Sequence, residues 1–106
     1  MLPGLRRWLR FSRHVHVHQR PVASLADIVR LVDRFVDHQL QYPLEWDDFI
    51  CWEHPDREIE DARLRLARTE PLFFSTTERD RQQGMATLLE ERNRLAHSVG
   101  LATRPA

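Results

Sequence analysis

The stretch that decides the fold is residues 24–40, SLADIVRLVDRFVDHQL. Its apolar residues recur at steps of three and four, which is the repeat of an α-helix with one buried face. They are Leu25, Ile28, Val29, Val32, Phe35, Val36 and Leu40. Charged residues take the opposite side, at Asp27, Arg30, Asp33, Arg34 and Asp37. The pattern therefore predicts an amphipathic helix.

Both ends of this helix have signals in the sequence. Ser24 and Asp27 stand in S-x-x-D spacing, a variant of the capping box in which the serine hydroxyl accepts a hydrogen bond from a free backbone N–H. Pro43 disfavours the helical conformation at Tyr42. We therefore expect the helix to begin after Ser24 and to end near Leu40 or Gln41.

Two helices are predicted directly downstream. Pro43 suits the first turn of a short helix, and the apolar residues that follow are Leu44, Trp46, Phe49, Ile50 and Trp52. Pro55 and Asp56 supply the next helix start, because proline suits the first turn and an acid favours the positive end of the helix dipole. The buried residues of that helix are Ile59, Ala62 and Leu66, and Pro71 limits its end.

A last helix is predicted to follow residues 75–78 and to end at Gly100, which suits the position after a helix. Its apolar residues are Met85, Leu88, Leu89, Leu95, Ala96 and Val99. Gly84 in this helix costs about 1 kcal/mol relative to alanine, which indicates a close contact with another helix. We also expect a buried connection at residues 72–74 and an i,i+4 ion pair between Glu90 and Arg94.

Together these elements predict an all-α fold, a small bundle of three main helices plus one short helix. The bundle occupies residues 22–101. A basic arm rich in histidine and arginine, residues 1–21, precedes it, and an extended or strand-like conformation is one alternative for this arm. Residues 102–106 are expected to be a frayed tail.

The formal net charge is zero, from 16 basic and 16 acidic residues, and every basic residue is arginine. Residues 1–20 hold five arginines and no acid; they are Arg6, Arg7, Arg10, Arg13 and Arg20. The rest of the chain holds the other eleven arginines and all sixteen acids. The zero is therefore a cancellation between a basic arm and an acidic body. Arginine without lysine favours a GC-rich, bacterial source.

The composition argues against several protein classes. No run approaches the roughly 20 apolar residues of a membrane span, and the first twenty residues lack the apolar core of a secretory signal. The single cysteine, Cys51, excludes an internal disulfide. Three glycines (Gly4, Gly84 and Gly100) do not make a phosphate-binding or dinucleotide-binding loop. We expect a non-enzymatic, cytoplasmic protein with no cofactor and no small-molecule substrate.

The segment His14-Val15-His16-Val17-His18 is the candidate metal site. In a strand, its three imidazoles share one face, but alternate residues lie about 6.6 Å apart, so at most two of them reach one ion. A zinc site generally needs three or four protein ligands. Cys51 with His54, or His38 with His97, would have to supply the rest. Cys51 as a nucleophile would need a histidine within hydrogen-bond reach, and His54 is one helical turn away, a spacing that makes contact possible and no more.

The arginines of the arm have alternative interpretations. With Trp8 and Phe11 between them they could contact phosphates and stack on bases, or form an interfacial membrane helix. An acid-free, arginine-rich start also resembles an organellar transit peptide. We favour an arm that packs on the acidic body of its own chain or of a second copy, and we expect neither nucleic acid nor membrane as partner.

Residues 45–61 are the acidic counterpart, with eight acids and one arginine. Three aromatic residues interrupt the acids, and such a mixture is typical of a surface that binds a basic partner. The candidate contact residues are Glu45, Trp46, Asp47, Asp48, Phe49, Trp52 and Glu53. The alternative is that the aromatic residues are the core of the short helix and the acids its solvated face.

The leading hypothesis is a small helical interaction protein that binds a basic protein, or its own arm in an oligomer, through residues 45–61. The alternative is a metal- or pH-responsive protein that uses His14, His16 and His18, with zinc or a similar divalent ion as ligand. In size, helix content and charge distribution the chain resembles the small acidic bundles that neutralise basic toxins, such as antitoxins and immunity proteins. No sequence motif supports that resemblance.

Overall fold

The structure, a computed structural model, describes residues 17–105. Within that range the chain is all-helical and contains no strand. The helices are α1 (Leu25–Val36), α2 (Glu45–Ile50), α3 (Arg57–Ala67), α4 (Glu70–Phe73) and α5 (Glu78–Ser98). The predicted all-α bundle is confirmed, with α1, α3 and α5 as its main helices. The predicted strand-like arm lies largely in residues 1–16, outside the described residues.

The start of α1 follows the predicted cap. The Asp27 backbone N–H donates to Ser24 Oγ at 3.1 Å, and the Asp27 carboxylate accepts from the Ala23 backbone N–H at 2.9 Å. The bond to Ser24 satisfies an N–H group that the first helical turn leaves without an intrahelical partner, and the bond from Ala23 ties the residue before the cap to the same turn. The local pattern therefore predicted the start of α1 correctly.

The end of α1, at Val36, is four to five residues earlier than predicted. His38 adopts a left-handed backbone conformation with φ 58°, which stops the helix after Val36. The His38 N–H then donates to the Phe35 carbonyl, and the Gln39 N–H donates to the Arg34 carbonyl at 2.7 Å. This is the hydrogen-bond pattern of a Schellman cap, which usually has glycine at the left-handed position. Because the residue is histidine and not glycine, the sequence did not indicate that the helix ends here.

The other helix ends agree with the predicted signals. The Asp56 side chain accepts from the Ile59 N–H at 3.1 Å and caps α3. Gly100, with φ 74°, follows the end of α5. In the core, α1 and α3 each contact α5, α1 contacts α3, and α2 packs on α3. The buried apolar residues that pack together as the core cluster are Val22, Ile28, Val29, Leu31, Val32, Trp46, Phe49, Ile50, Ile59, Ala62, Leu66, Leu88, Leu95 and Ala96.

The connection between α3 and α5 departs from expectation. Residues 70–73 form one helical turn, α4, whose Phe73 ring packs 5.5 Å from the Phe35 ring. Phe74 is exposed because it follows Phe73 by about 100° around the turn. The prediction of a buried connection is therefore wrong for Phe74. Val99, expected on the buried stripe of α5, is also exposed at the end of that helix.

The close contact predicted at Gly84 is confirmed, and it joins α5 to α4. A Cβ atom at Gly84 would lie 2.5 Å from the Phe73 backbone nitrogen and 2.8 Å from Leu72 Cβ. Real Cβ atoms essentially never approach backbone this closely. The backbone of α4 therefore requires glycine at this position.

Two ion pairs join α1 to other helices, and we call them the α1 ion pairs. The Arg34 guanidinium donates to both carboxylate oxygens of Glu45 on α2, at 3.2 and 2.8 Å. The Arg92 guanidinium on α5 donates to both oxygens of Asp33, each at 2.9 Å. Glu45 and Arg92 are buried. Both pairs are bidentate, the arrangement that best repays the desolvation of a buried charge.

The chain end makes contacts that differ from the expected frayed tail. Arg92 also donates to the Ala102 carbonyl at 2.6 Å, and Asn93 donates to the Arg104 carbonyl at 2.6 Å. The Arg104 guanidinium donates to Asp33 at 3.2 Å and to Asp37. Residues 102–104 are therefore held against α1 and α5.

The predicted ion pair between Glu90 and Arg94 is replaced by another. Arg94 donates to Glu91, at 2.9 and 2.6 Å, and Arg65 on α3 donates to the same carboxylate at 2.5 Å. Glu91 lies half-buried where α5 faces α3, so arginines from both helices reach its carboxylate.

In the part of the chain that the structure describes, no helix has both the length and the apolar composition needed to cross a bilayer.

Candidate functional site

Helix α2 carries most of the residues predicted to form a partner-binding surface. The structure buries four of them, Glu45, Trp46, Asp48 and Phe49, and leaves Asp47 half-buried. The predicted surface is therefore reduced to the exposed Trp52 and Glu53 at the C-terminal end of α2. For the buried four, the alternative interpretation, a packed short helix, describes the structure better.

The buried end of α2 is held by polar contacts as well as by packing. The Glu45 carboxylate accepts from Arg34 and, at 2.9 Å, from the Gln41 backbone N–H. The Trp46 ring stacks on Phe35 at a centroid distance of 4.2 Å, and its Nε1–H donates to Glu70 at 3.2 Å. A buried carboxylate without such partners would be strongly unfavourable. These contacts fix the orientation of α2.

Asp48 faces the other side of α2. Its Oδ2 atom accepts from the Tyr42 hydroxyl at 2.8 Å, and its Oδ1 atom lies 3.5 Å from His18 Nδ1. Burial raises the pKa of Tyr42, and the hydrogen bond to the Asp48 carboxylate raises it further. The phenol therefore stays protonated and donates a hydrogen bond to Asp48 throughout the physiological pH range. No local signal in the sequence marks Tyr42 for this role.

Beyond α2 the chain is tied down by α3. The Arg63 guanidinium donates to the Ile50 carbonyl at 2.7 Å and to Glu60, and Glu60 accepts the His54 backbone N–H at 2.9 Å. The hydrogen bonds from Arg63 lower the pKa of Glu60 despite its partial burial. This arrangement secures the end of α2 and the loop after it, and it thereby positions Trp52.

Trp52 is the centre of the candidate site. Its side chain is 51% exposed, and its ring stacks on the His18 imidazole at a centroid distance of 4.4 Å and an interplanar angle of 27°. We define the Trp52 face as His18, Asp48, Trp52 and Glu53, which line one cleft with Arg20 and His54. That cleft holds a water-sized volume of about 10 Å³. Pockets for small ligands are typically about 300–1,000 Å³.

His54 is engaged through both ring nitrogens. Its Nδ1 atom accepts the Asp56 backbone N–H at 3.0 Å, so this nitrogen carries no proton. The Nε2 atom must then carry the proton, which it donates to the Val22 carbonyl at 3.2 Å. In this arrangement His54 offers neither a basic nitrogen to Cys51 nor a lone pair to a metal ion.

The histidines of the predicted metal site are divided by the limits of the described chain. His14 and His16 lie outside the described residues, while His18 lies on Trp52 and Asp48. Across residues 17–105, no group of three or more histidine, cysteine or acidic side chains is placed to hold a metal ion. The other candidates, His38 and His97, are exposed at the ends of α1 and α5.

Seven of the eight acids of residues 45–61 divide into two sets, and the eighth, Asp47, is half-buried on α2. Glu45, Asp48, Glu60 and the capping Asp56 accept hydrogen bonds that the fold supplies. The second set is exposed and forms no salt bridge within residues 17–105. Its members are Glu53, Glu58 and Asp61.

The predicted basic arm lies mostly outside the described residues. Four of its arginines fall there, namely Arg6, Arg7, Arg10 and Arg13, and Arg20 is exposed beside the cleft.

The stacking of His18 on Trp52 was not predicted, because it joins residues that are far apart in the sequence. Comparison with protein-family models, with curated proteins and with solved structures finds no match to this chain. The geometry of the Trp52 face and the charges around it are therefore the basis on which a function is proposed.

Proposed function

We propose that this protein is a small, non-enzymatic interaction protein that binds a basic protein segment at the Trp52 face. One observation carries the proposal. Trp52 is half-exposed at the end of a helix whose other aromatic residues, Trp46 and Phe49, are buried. A half-exposed tryptophan can serve as the anchor of an interface, where tryptophan is among the commonest energetically dominant residues.

The charges around Trp52 favour a basic partner over a neutral one. Glu53 adjoins Trp52 in the cleft, and Glu58 and Asp61 follow on the exposed side of α3. The described residues hold twelve arginines against sixteen acids, and the buried acids are already paired. Exposed carboxylates steer an approaching cation, while the tryptophan ring supplies burial and attracts cations by its π-face.

The size of the cleft favours a protein segment over a small-molecule substrate. A water-sized volume cannot enclose a metabolite, whereas a side chain laid across the ring of Trp52 needs no deep pocket. The half-exposed ring and the adjacent carboxylates together suit the side chains of a basic peptide.

A peptide titration tests this proposal. The probe is a fluorescently labelled eight-residue peptide in which glycine and arginine alternate, and the readout is anisotropy with the full chain. We expect saturable binding that weakens as salt is raised, and a loss of about tenfold or more in affinity for Trp52→Ala, the size typical of an anchor residue.

Two matched variants serve as controls. Phe74→Ala removes another exposed aromatic residue, and Glu90→Gln removes an exposed acid on α5, for comparison with Glu53→Gln. Both controls should bind as the wild type does. If Trp52→Ala and Phe74→Ala bind equally well, the interaction is general charge attraction and the proposal fails. The proposal also fails if the wild type shows no saturable binding of the peptide.

A further inference from the structure

Side chains of α5 hold residues 102–104 through hydrogen bonds to their main chain. Asn93 pairs with both main-chain groups of Arg104: its Nδ2 donates to the carbonyl at 2.6 Å, and its Oδ1 accepts from the N–H at 2.8 Å. Arg92 donates to the Ala102 carbonyl at 2.6 Å. An asparagine that makes both bonds imitates the pairing of a β-ladder, in which the hydrogen bonds do not depend on the identity of the side chains.

The side chain of Arg104 contacts two carboxylates of the neighbouring helix. Its Nη1 donates to Asp33 at 3.2 Å and to Asp37 at 3.1 Å, and its Nη2 also donates to Asp37. A guanidinium suits two carboxylates because it carries five N–H donors in a rigid plane, whereas an ammonium group is a compact point charge. The carboxylates therefore favour arginine at this position. We define the α1–α5 site as Asp33, Asp37, Arg92 and Asn93.

The α1–α5 site is held together by its own members. Arg92, which is 7% exposed, donates to the two oxygens of Asp33, each at 2.9 Å. It donates a further bond of 2.9 Å to Asn93 Oδ1. This bond fixes the orientation of the amide, because the oxygen faces a group that can only donate. The donor and the acceptor of Asn93 therefore keep their directions without help from residues 102–104.

The segment that occupies the site is held by polar contacts. Leu101 packs on the core, but the side chains that follow bring little apolar area to the site, since Ala102, Thr103 and Pro105 are exposed. Hydrogen bonds and partly exposed ion pairs contribute little net stability in water. Such a segment can open locally while the rest of the bundle stays folded.

The contacts involve two carbonyls, one N–H and one guanidinium, which any extended segment that contains arginine can supply. We propose that the α1–α5 site binds an arginine-containing extended segment of another protein, and that residues 102–104 occupy it in the absence of that partner. The partner's arginine takes the position of Arg104, and its second carbonyl upstream accepts from Arg92. No residue of this site lines the Trp52 cleft, so the inference goes beyond the proposed function and does not depend on it.

Opening the site in the full chain tests the inference. Arg104→Glu places a carboxylate beside the two aspartates and should release residues 102–104, and Arg104→Ala removes the guanidinium without adding a charge. The probe is a blocked peptide with the sequence of residues 101–106, Leu-Ala-Thr-Arg-Pro-Ala, and the readout is the Asn93 side-chain amide signals in ¹H–¹⁵N spectra. Both variants should bind it about tenfold more tightly than the wild type, because the intramolecular competitor is gone. Binding should return the Asn93 signals toward their wild-type positions.

One control changes the protein and two change the peptide. Arg79→Glu reverses an exposed charge in the first turn of α5 and should leave the affinity at the wild-type value. With lysine in place of arginine, the peptide should bind the Arg104 variants about threefold or more weakly, because the fork is lost. Methylation of the arginine main-chain nitrogen removes the donor to Asn93 and should weaken binding about tenfold.

Two kinds of result overturn the inference. The first is that neither Arg104 variant binds the peptide more tightly than the wild type, or that the three peptides bind alike. The second is that both variants lose the dispersed spectrum of a folded protein, which would make residues 102–104 an element of the fold and not an exchangeable occupant. Neither result bears on binding at the Trp52 face.

Discussion

Charged side chains are paired within the protein in the α1 ion pairs, but Glu53 is exposed to solvent at the Trp52 face. In the α1 ion pairs, Arg34 and Arg92 each donate two hydrogen bonds to one carboxylate. The buried member of each pair, Glu45 or Arg92, therefore has a partner of opposite charge. At the Trp52 face, the exposed Glu53 forms no salt bridge within residues 17–105, and the buried Asp48 accepts a hydrogen bond from the Tyr42 hydroxyl. Both regions are rich in charge, but only the first uses it to join helices.

The difference follows from burial. A charge removed from water must be paired within the protein, since its desolvation is otherwise uncompensated, and so the pairing at Glu45 and Arg92 serves the fold. An exposed carboxylate is solvated and requires no internal partner. It stays available to a cation that comes from another molecule, which is why we assign stability to the α1 ion pairs and binding to the Trp52 face.

The largest effect is expected where a buried charge loses its partner. Arg34→Met leaves the Glu45 carboxylate, which is 1% exposed, without its cation. The free energy of unfolding, measured by chemical denaturation, should fall by about 3–5 kcal/mol. Replacing Glu45 as well, in Arg34→Met/Glu45→Gln, should recover part of this loss, because the glutamine still accepts from the Gln41 N–H.

An exposed arginine on the same helix is the matched control. Arg30 pairs with Asp27 at 3.4 Å on the outer side of α1, and its side chain is 57% exposed. Arg30→Met should change the free energy of unfolding by no more than about 0.5 kcal/mol. Equal losses for Arg30→Met and Arg34→Met would remove the distinction between paired buried charges and exposed ones.

A smaller effect is expected at Asp33, and it should depend on pH. Burial alone raises the pKa of Asp33, but the hydrogen bonds and charges of Arg92 and Arg104 outweigh it and hold the pKa below the ordinary value. A lowered carboxyl pKa contributes stability above the unfolded-state value of about 4, and this is lost as pH falls through the folded-state value. Asp33→Asn should therefore cost about 1–2 kcal/mol at pH 7.

The acid side of the stability curve checks this assignment. Below about pH 4 the wild type should lose stability faster than Asp33→Asn, so the difference between the two proteins should shrink. Part of the decline will remain in the variant, because Arg94 and Arg65 also outweigh burial and hold the pKa of Glu91 low. Parallel curves from pH 7 to pH 2 would show that Asp33 is not a major acid-sensitive group.

The smallest effect on stability is expected at the unpaired acids. The triple variant Glu53→Gln, Glu58→Gln, Asp61→Asn should stay within about 0.5 kcal/mol of the wild type. Relief of repulsion is offset by the loss of a favourable acid, Glu58, in the first turn of α3. If the free energy of unfolding fell by more than about 1 kcal/mol, in thermal or chemical unfolding, these carboxylates would be shown to stabilise the fold.

Sequence reasoning succeeded where the cause is local. Ser24 and Asp56 cap helices through their own next turn, and Gly100 ends α5 through its own backbone, so each was readable from neighbouring residues. It failed at His38, whose left-handed conformation is unusual for a residue other than glycine.

Non-local contacts account for the rest. The burial of Glu45 depends on Arg34 from another helix, and the placement of residues 102–104 depends on Arg92 and Asn93. The stack of His18 on Trp52 joins residues that share no periodic pattern. The sequence therefore located the acidic, aromatic segment, but only the fold separates its buried residues from the exposed Trp52 and Glu53.

The most direct test is to map which region responds to a basic ligand, by ¹H–¹⁵N spectra of the full chain titrated with the unlabelled glycine–arginine peptide. The Trp52 indole signal and the backbone signals of His18, Asp48 and Glu53 should move together and saturate. The signals of Asp33, Arg34 and Arg92 should stay in place. Shifts centred on the α1 ion pairs, or spread evenly over the surface without Trp52, would contradict the assignment of binding to the Trp52 face.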